Sequence, residues 1–343
     1  MTLIAGLDVG GAHLKVAVVE DGRAIRVQQL MCPLWRGIDR LDTALAEATR
    51  IVSGCDRVAV TMTGELSDLF ESRRQGVGVL AERLTREFGE NTRFWMGERA
   101  FGTCDCAIEH HRDVGSTNFL ATAKAIAARL PDAILIDLGS TTADIVPVAG
   151  GRPGPLYLDD AGRQASGELV YTGFTRTAVM GVTQVAPFGG QWVTLAREYL
   201  ATMADVRRVL GNLDDAVDLH DTADGRGKSL AESTQRLARM LGRDAGDGTA
   251  AQWRSAARHV EECQLRSIHD GLMLVLSRHP DLEAARVVTA GIGADAAAAV
   301  ARRAGLSPIP FGELVEADKS CVLHATHCAP AVAVAMLAAG IAA

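Results

Sequence analysis

The apolar residues of the chain follow two kinds of pattern. Short runs that are rich in Val, Ile or Leu and bounded by turn residues predict β-strands. These runs are residues 3–8, 14–19, 25–30, 57–61, 93–96, 134–137, 143–148 and 286–289. Segments with apolar residues at three- and four-residue spacing predict amphipathic helices. These segments are residues 38–52, 78–88, 119–130, 202–210, 230–241, 250–277, 294–304 and 329–339.

Strands that alternate with helices in both halves of the chain predict an α/β fold whose sheets are covered by helices. The length of 343 residues favours two compact lobes over one core. Residues 211–228 are polar and rich in turn residues, so we expect an exposed loop there. This loop leads into GRGKS, which resembles the end of a phosphate-binding P-loop. Because Thr222 replaces the first glycine and no strand precedes it, we do not predict a P-loop.

Composition and charge narrow the classes of partner. The formal net charge is −7 and the chain has no basic block, which argues against a nucleic-acid partner held through phosphate contacts. The N-terminus lacks the basic region and cleavage site of a signal peptide. The apolar tail AVAVAMLAAGIAA is shorter than the roughly 20 residues needed to span a bilayer. We therefore expect no membrane association and a buried terminal helix.

The cysteines indicate a reducing compartment. Seven cysteines, an odd number in a chain of this size, favour free thiols and a cytoplasmic location. Two clusters combine cysteine with histidine, and neither has the paired spacing of a structural zinc site. We expect buried thiols beside loop histidines rather than a metal. The clusters are Cys104, Cys106, His110 and His111, and Cys321, His324, His327 and Cys328.

Two stretches of the sequence match each other around an aspartate and a glycine turn. They are GLDVGGAHLKVAVV at 6–19 and ILIDLGSTTADIVPV at 134–148, and Asp8 aligns with Asp137. Each predicts a strand, a tight glycine turn and a second strand. Glycine lets backbone N–H groups approach a ligand closely, and N–H groups in a concave turn bind phosphate. The candidate phosphate-binding residues are Gly10, Gly11, Ala12, His13, Gly139, Ser140, Thr141 and Thr142.

The charged residues beside the two turns suggest a metal-bound phosphate. Lys15 can place a point charge on a phosphate, whereas Asp8 and Asp137 would repel one. The two carboxylates make sense if they hold a hydrated Mg²⁺ between them. The two turns would then face each other across a cleft. Alternatively, both are ordinary hairpins whose aspartates are turn residues.

A third glycine motif follows a predicted strand near the C-terminus. In VVTAGIGADAAAAVARRAGL, residues 287–306, a turn containing Gly291, Ile292 and Gly293 opens an Ala-rich helix. A glycine turn at a helix N-terminus is typical of anion or nucleotide sites. The same pattern also allows a helix and a strand to pack closely, and both interpretations stay open.

The order DVGGAHLK, DLGSTTAD, AGIGADAAAAV resembles the phosphate-1, phosphate-2 and adenosine motifs of the actin, sugar kinase and Hsp70 superfamily. Within that superfamily, the chain resembles the hydantoinase/oxoprolinase-related branch through residues 58–77, 166–177 and 326–340. In that branch it is similar to tetrahydromethanopterin-linked one-carbon transfer proteins and to a methanofuran-biosynthesis synthase. The resemblance implies a two-lobed actin-like fold with an interlobe cleft. The first lobe would be residues 1–130 plus 325–343. The second would be 131–324, with a helical insertion at about 190–280.

The resemblance also implies a reaction. A synthase of this kind joins an aminomethyl-furanmethyl diphosphate to the phenol of γ-glutamyltyramine, or of a tyrosine-like acceptor, and releases pyrophosphate. Mg²⁺ at Asp8 and Asp137, together with Lys15 and the turn N–H groups, would neutralise the leaving group. Glu65 is the candidate base for the phenol, although it could equally be the acidic residue at the start of a helical turn. Asp144 is a second candidate.

Further residues are candidates for the substrate pocket. Thr63 lies at the end of a predicted strand, and Arg73, Arg74 and Arg176 match the carboxylates of an acceptor. For Asn118 we favour a helix N-cap over a substrate contact.

Two other functions stay open. One is an ATP-dependent kinase or hydantoinase/oxoprolinase-like enzyme, and the other is a non-catalytic nucleotide-sensing protein whose lobe closure is detected by a partner. The Ala-rich third motif offers no polar group to recognise a base, so ATP is not expected under the leading interpretation.

Overall fold

The computed structural model describes residues 2–340 as two mixed β-sheets, one two-stranded antiparallel sheet and flanking helices. The strands are β1 Leu3–Val9, β2 His13–Glu20, β3 Arg23–Met31, β4 Arg57–Met62, β5 Thr92–Trp95, β6 Phe101–Gly102, β7 Ala133–Leu138, β8 Ala143–Ala149, β9 Arg152–Pro153, β10 Leu169–Val170, β11 Val185–Phe188, β12 Gln191–Thr194, β13 Arg286–Ala290 and β14 Ser307–Pro310. The helices are α1 Asp39–Ile51, α2 Arg73–Phe88, α3 Cys104–Glu109, α4 His111–Val114, α5 Asn118–Ala127, α6 Asp160–Ser166, α7 Met203–Leu210, α8 Leu230–Met240, α9 Ala250–Arg278, α10 Ala294–Arg303, α11 Phe311–Leu314, α12 Val322–His327 and α13 Ala329–Ala338.

The two sheets repeat one topology. The first has the order β3-β2-β1-β4-β5-β6, and the second has the order β10-β8-β7-β13-β14 with β9 also paired to β8. In each sheet an antiparallel hairpin, β1–β2 or β7–β8, is followed by two strands that run parallel to the first strand of the hairpin. Helices cover both faces, which explains why β1 and β7 are apolar and buried along most of their length.

All the strands and helices predicted from the periodicity are present, with bounds shifted by a few residues. The largest shift is in α2, which begins at Arg73 rather than at residue 78, with Ser72 as its N-cap. Gly76 and Gly78 in its first turns lower the intrinsic helix propensity, so the local pattern placed its start too late. The short elements β6, β9 to β12, β14, α3, α4, α6, α11 and α12 were not predicted.

Two helices lie between the sheets. The helix α13 packs on β1, β2 and β4 of the first sheet, whereas α5 packs on β7 and β8 of the second, and the two helices contact each other. Because both faces of α13 are covered, it is apolar all round. The expected buried terminal helix is thereby confirmed over Ala329–Ala338, and residues 341–343 lie outside the described residues. The predicted lobe bounds stay a prediction.

Residues 211–228 are less exposed than their composition suggests. Val217 and Asp218 are buried, because Asp218 forms ion pairs with Arg208 and with Lys228. The GRGKS segment leads into the capping box of α8, in which Ser229 is the N-cap, and it does not line the cleft described below. Across residues 2–340, no helix combines the length and the apolarity that crossing a lipid bilayer requires.

Candidate functional site

The two matching stretches form the same turn. In the first, the Gly10 N–H donates to the His13 carbonyl, and in the second the Gly139 N–H donates to the Thr142 carbonyl, both at 2.9 Å. The register is also the same, because Asp8 lies opposite Lys15 and Asp137 lies opposite Asp144. The repeat in the sequence is therefore a repeat in backbone geometry.

Both turns line one cleft of about 460 Å³ between the sheets. Their separation is small, since Ser140 Oγ lies 3.4 Å from His13 Nδ1. Of the residues singled out in the sequence, those that line the cleft are Asp8, Gly10, Gly11, Ala12, His13, Lys15, Thr63, Asn118, Asp137, Gly139, Ser140, Thr141, Thr142, Asp144, Arg176, Ile292 and His327. A cleft of this volume is large enough for a small-molecule ligand.

The tips of the turns present backbone donors to the cleft. The N–H groups of Gly11, Ala12, Ser140 and Thr141 donate to no backbone or side-chain acceptor in the described part of the chain. A Cβ at Gly11 would meet nothing within 4 Å, so there is open space beside its Cα. Backbone donors grouped in this way are suited to a phosphate group.

A buried charge cluster lies beside the turns. Lys15 Nζ is 3.0 Å from Asp8 Oδ2, and the Asp8 side chain is 2% exposed. Burial opposes the charge on Lys15, but Asp8, Asp137 and Cys328 outweigh burial and raise the pKa of the ammonium. Burial raises the pKa of Asp137 to about 7, against the opposing effect of Lys15 and with the support of Asp144 and Asp8. The two carboxylates thus favour the charged form of Lys15, whereas burial favours the neutral form of Asp137.

Glu65 lies behind the cleft wall rather than on it. Its side chain is fully buried, and Oε1 accepts a 2.7 Å hydrogen bond from Ser116 Oγ. Ser116 lines the cleft, whereas Glu65 does not. Burial raises the pKa of Glu65 to about 7, while the Ser116 hydrogen bond and Arg73 lower it in part. Sequence reasoning did not identify Ser116, because only the folded chain brings it to Glu65.

The three arginines chosen from the sequence occupy different places. Arg176 lines the cleft, donates to Thr141 Oγ1 at 3.0 Å and stacks on Trp35, with its Cζ 4.3 Å from the ring centroid. Arg73 is directed to two carboxylates of the protein, at 3.6 Å from Glu65 and 3.7 Å from Asp160. Arg74 is exposed. Arg176 is therefore the member of this group that a cleft ligand can contact.

Two residues that were not predicted contact residues of the cleft wall. His220, from the loop at 211–228, places its ring 4.5 Å from that of His13 and 5.3 Å from that of Trp35. Burial lowers the pKa of both histidines, with nearby cations adding to the effect, so both rings are neutral at pH 7. Arg163 is buried and pairs with Asp144 at 2.9 Å, so Asp144 faces an arginine as well as the cleft.

The third glycine motif packs against the second turn. The Gly293 N–H donates to the Leu138 carbonyl, and the Gly291 N–H donates to the Thr326 carbonyl, both at 2.9 Å. A Cβ on either glycine would overlap Leu138. These glycines therefore allow close packing of α10 against β7, and their N–H groups are used within the protein. Ile292 between them lines the cleft.

Two minor expectations can be compared with the structure. The N-cap prediction for Asn118 is wrong: the cap residue of α5 is Thr117, and Asn118 is the first helical residue and lines the cleft.

All seven cysteines are free. Within residues 2–340, no three His, Cys, Asp or Glu side chains are grouped so as to hold a metal ion.

Comparison with known proteins identifies the family. A family model described as hydantoinase/oxoprolinase matches residues 56–339. The chain belongs to the hydantoinase/oxoprolinase family. One relative is the (4-{4-[2-(gamma-L-glutamylamino)ethyl]phenoxymethyl}furan-2-yl)methanamine synthase of Methanocaldococcus jannaschii. Its sequence is 32% identical to this chain, over 70% of this chain and 71% of the relative. The synthase of the same name from Methanococcus vannielii is 31% identical over 32% of this chain and 48% of the relative.

The fold of this hydantoinase/oxoprolinase family member also has a counterpart among solved structures. The solved structure of nucleotide-free acetone carboxylase aligns with 86% of this chain and with 66% of the carboxylase chain. The sequence identity is 10% and the TM-score is 0.50. The resemblance seen in the sequence and the two-lobed actin-like fold are thereby confirmed.

Proposed function

We propose that this protein condenses a furanmethyl diphosphate with a phenolic acceptor and releases pyrophosphate, in the biosynthesis of a methanofuran-type cofactor. The observation that supports the proposal is the pair of matching turns, which line one cleft beside Lys15 and carry N–H groups without an acceptor in residues 2–340. The name of the Methanocaldococcus jannaschii synthase contains a phenoxymethyl group on a furan, which fits a furan donor and a phenolic acceptor. The acceptor, tyramine-like or tyrosine-like, is part of the proposal.

The cleft residues would act on the leaving group. The donors at Gly11, Ala12, Ser140 and Thr141, together with Lys15, would bind the diphosphate oxygens and stabilise the negative charge that develops as the methylene C–O bond breaks. The furan ring would spread the positive charge on the methylene carbon, which the phenol oxygen attacks. Arg176, which stacks on Trp35 at the cleft wall, is suited to bind a carboxylate of the acceptor.

The residues present fit a magnesium ion. Asp8 Oδ1 is buried and has no hydrogen-bond partner within residues 2–340, and the side chain of Asp137 lies on the same cleft wall. Two carboxylates that hold Mg²⁺ through water are a common arrangement around a substrate phosphate. When bound, the ion would neutralise part of the diphosphate charge.

The main competing function is that of an ATP-dependent kinase or a hydantoinase/oxoprolinase-like enzyme, and the second of these fits the family description. Purified protein would be incubated with Mg²⁺, furanmethyl diphosphate, a phenolic amine or amino acid, and separately with ATP. Pyrophosphate that forms only when both organic substrates are present supports the condensation. ADP formed from ATP contradicts it.

Two variants test the positions assigned to the ion. Asp8→Asn and Asp137→Asn should each lose Mg²⁺-dependent turnover by at least about 100-fold while circular dichroism shows a retained fold. Full activity in both variants would show that the assignment of the metal ligands is wrong.

A further inference from the structure

Glu65 and Ser116 form a buried pair that the proposed reaction has so far not used. The carboxylate of Glu65 is fully buried, and its Oε1 accepts a 2.7 Å hydrogen bond from the Ser116 hydroxyl. The other oxygen, Oε2, is buried and has no hydrogen-bond partner in the described part of the chain. A buried carboxylate with an unused oxygen is costly for a fold, so its presence beside a cleft points to a function.

The surrounding backbone is shaped to bring the two side chains together. A Cβ at Gly115 would overlap the Glu65 carboxylate, and a Cβ at Gly76 would overlap the Glu65 backbone. Ser116 itself has a φ of 56°, in the left-handed region that side chains other than glycine rarely adopt. Its N–H donates to the Met62 carbonyl at 3.0 Å, which fixes this conformation. Strain of this kind at a cleft wall is typical of functional residues.

The hydroxyl of Ser116 has unused acceptor capacity toward the cleft. It donates its single proton to Glu65, which leaves its oxygen lone pairs free to accept a proton or a hydrogen bond. Ser116 lines the cleft and Glu65 does not. A ligand hydroxyl that contacts Ser116 is therefore one hydrogen bond away from Glu65.

We propose that Ser116 is the residue that contacts the acceptor hydroxyl, and that it relays the acceptor's proton to Glu65. This inference rests on the proposed function. As the phenol oxygen forms its bond to the methylene carbon, the methylene C–O bond to diphosphate breaks and the electron pair leaves with the diphosphate. The phenol proton passes to Ser116 Oγ, and the original Ser116 proton passes to Glu65 Oε1. Ser116 ends unchanged and Glu65 ends protonated.

The charge environment suits this role. Burial raises the pKa of Glu65 to about 7, while Ser116 and Arg73 keep it from rising further. A base with a pKa near the working pH removes a proton in the transition state more effectively than an ordinary carboxylate does. Arg73, 3.6 Å from Glu65 and 3.7 Å from Asp160 of α6, positions the carboxylate without touching the substrate.

The test compares Ser116→Gly with wild type on acceptors of graded acidity. Glycine suits the left-handed backbone, so this variant removes the hydroxyl without adding strain. With the parent phenol, kcat should fall about 100- to 1,000-fold. With a difluorinated phenol, which loses its proton more readily, the ratio of wild-type kcat to Ser116→Gly kcat should be about tenfold smaller. Ser67→Ala, on another serine of the same wall, should keep the wild-type dependence on acceptor acidity. A Ser116→Gly variant that is fully active on the parent phenol would overturn the relay.

A second readout separates the relay from the proposed function. If wild type shows no condensation, the proposed function fails, but the coupling of the pair can still be measured by titrating the ¹³C-labelled Glu65 carboxyl by NMR. Because the Ser116 hydrogen bond lowers the pKa of Glu65, Ser116→Gly should raise it. An unchanged Glu65 titration in Ser116→Gly would contradict the coupling.

Discussion

The buried carboxylate of Glu65 should make the protein less stable as the pH rises. Its pKa is about 7 in the folded protein, raised by burial from its ordinary 4.5. A group with a raised pKa in the folded state supports folding fully below its unfolded pKa, and this support is lost as the pH rises through the folded value. The stabilising contribution of Glu65 is therefore lost between about pH 4.5 and pH 7.

Glu65→Gln removes this titration and so isolates its contribution. Over the change from pH 5 to pH 8, linkage gives about 2–3 kcal/mol, since each pKa unit is worth about 1.36 kcal/mol. The amide that this substitution introduces would lie near Arg73 without an acceptor, at a cost of about 1–3 kcal/mol that does not depend on pH. Glu65→Gln should thus be less stable than wild type at pH 5 and about equally stable, or more stable, at pH 8.

The assay is urea unfolding at both pH values, followed by circular dichroism and tryptophan fluorescence with coincident transitions required. Glu168→Gln is the control, because Glu168 is also fully buried but accepts hydrogen bonds from Arg278 at 2.9 Å and from the Leu156 N–H at 3.0 Å. This control should destabilise the protein at both pH values. A stability difference between Glu65→Gln and wild type that is the same at pH 5 and pH 8 would refute the reasoning.

Four other substitutions test separate parts of the structure. Gly6→Ala should leave little soluble protein, because the added Cβ would overlap a backbone carbonyl of α13. In Gly11→Ala the added Cβ would have no neighbour within 4 Å, so this variant should unfold at the same temperature as wild type. Arg176→Lys should raise the KM for the acceptor about tenfold with little change in kcat, since lysine cannot reproduce planar stacking on Trp35. Asp205→Asn should lower the free energy of unfolding by about 3–5 kcal/mol, because Asp205 pairs with a buried arginine of α8; denaturant titration measures this.

The fold and the two turns were predictable because their signals are local. The turn at Gly10 and the turn at Gly139 each depend on a few neighbouring residues, and the second copy reinforced the interpretation of the first. The periodicity likewise located the main strands and helices. By contrast, the short strands β10 and β14 have too few residues for a pattern, and pairing with β8 and β13 forms them.

The rest of the site depends on contacts between distant parts of the chain. His220 reaches His13 from a loop whose composition predicts exposure, and Arg163 reaches Asp144 from α6. Nothing near Ser116 in the sequence indicates that its hydroxyl meets a carboxylate 51 residues earlier. Such pairings are set by tertiary packing, and one sequence without the fold does not specify them.

The central claim is that the two turns together bind a diphosphate in the shared cleft. Isothermal titration of inorganic pyrophosphate into wild type and Lys15→Met, with and without Mg²⁺, tests it most directly. We predict one Mg²⁺-dependent site per chain in wild type and at least about tenfold weaker binding in Lys15→Met, whose cation beside Asp8 is removed. Absence of binding in wild type, or equal binding in both proteins, would contradict the claim.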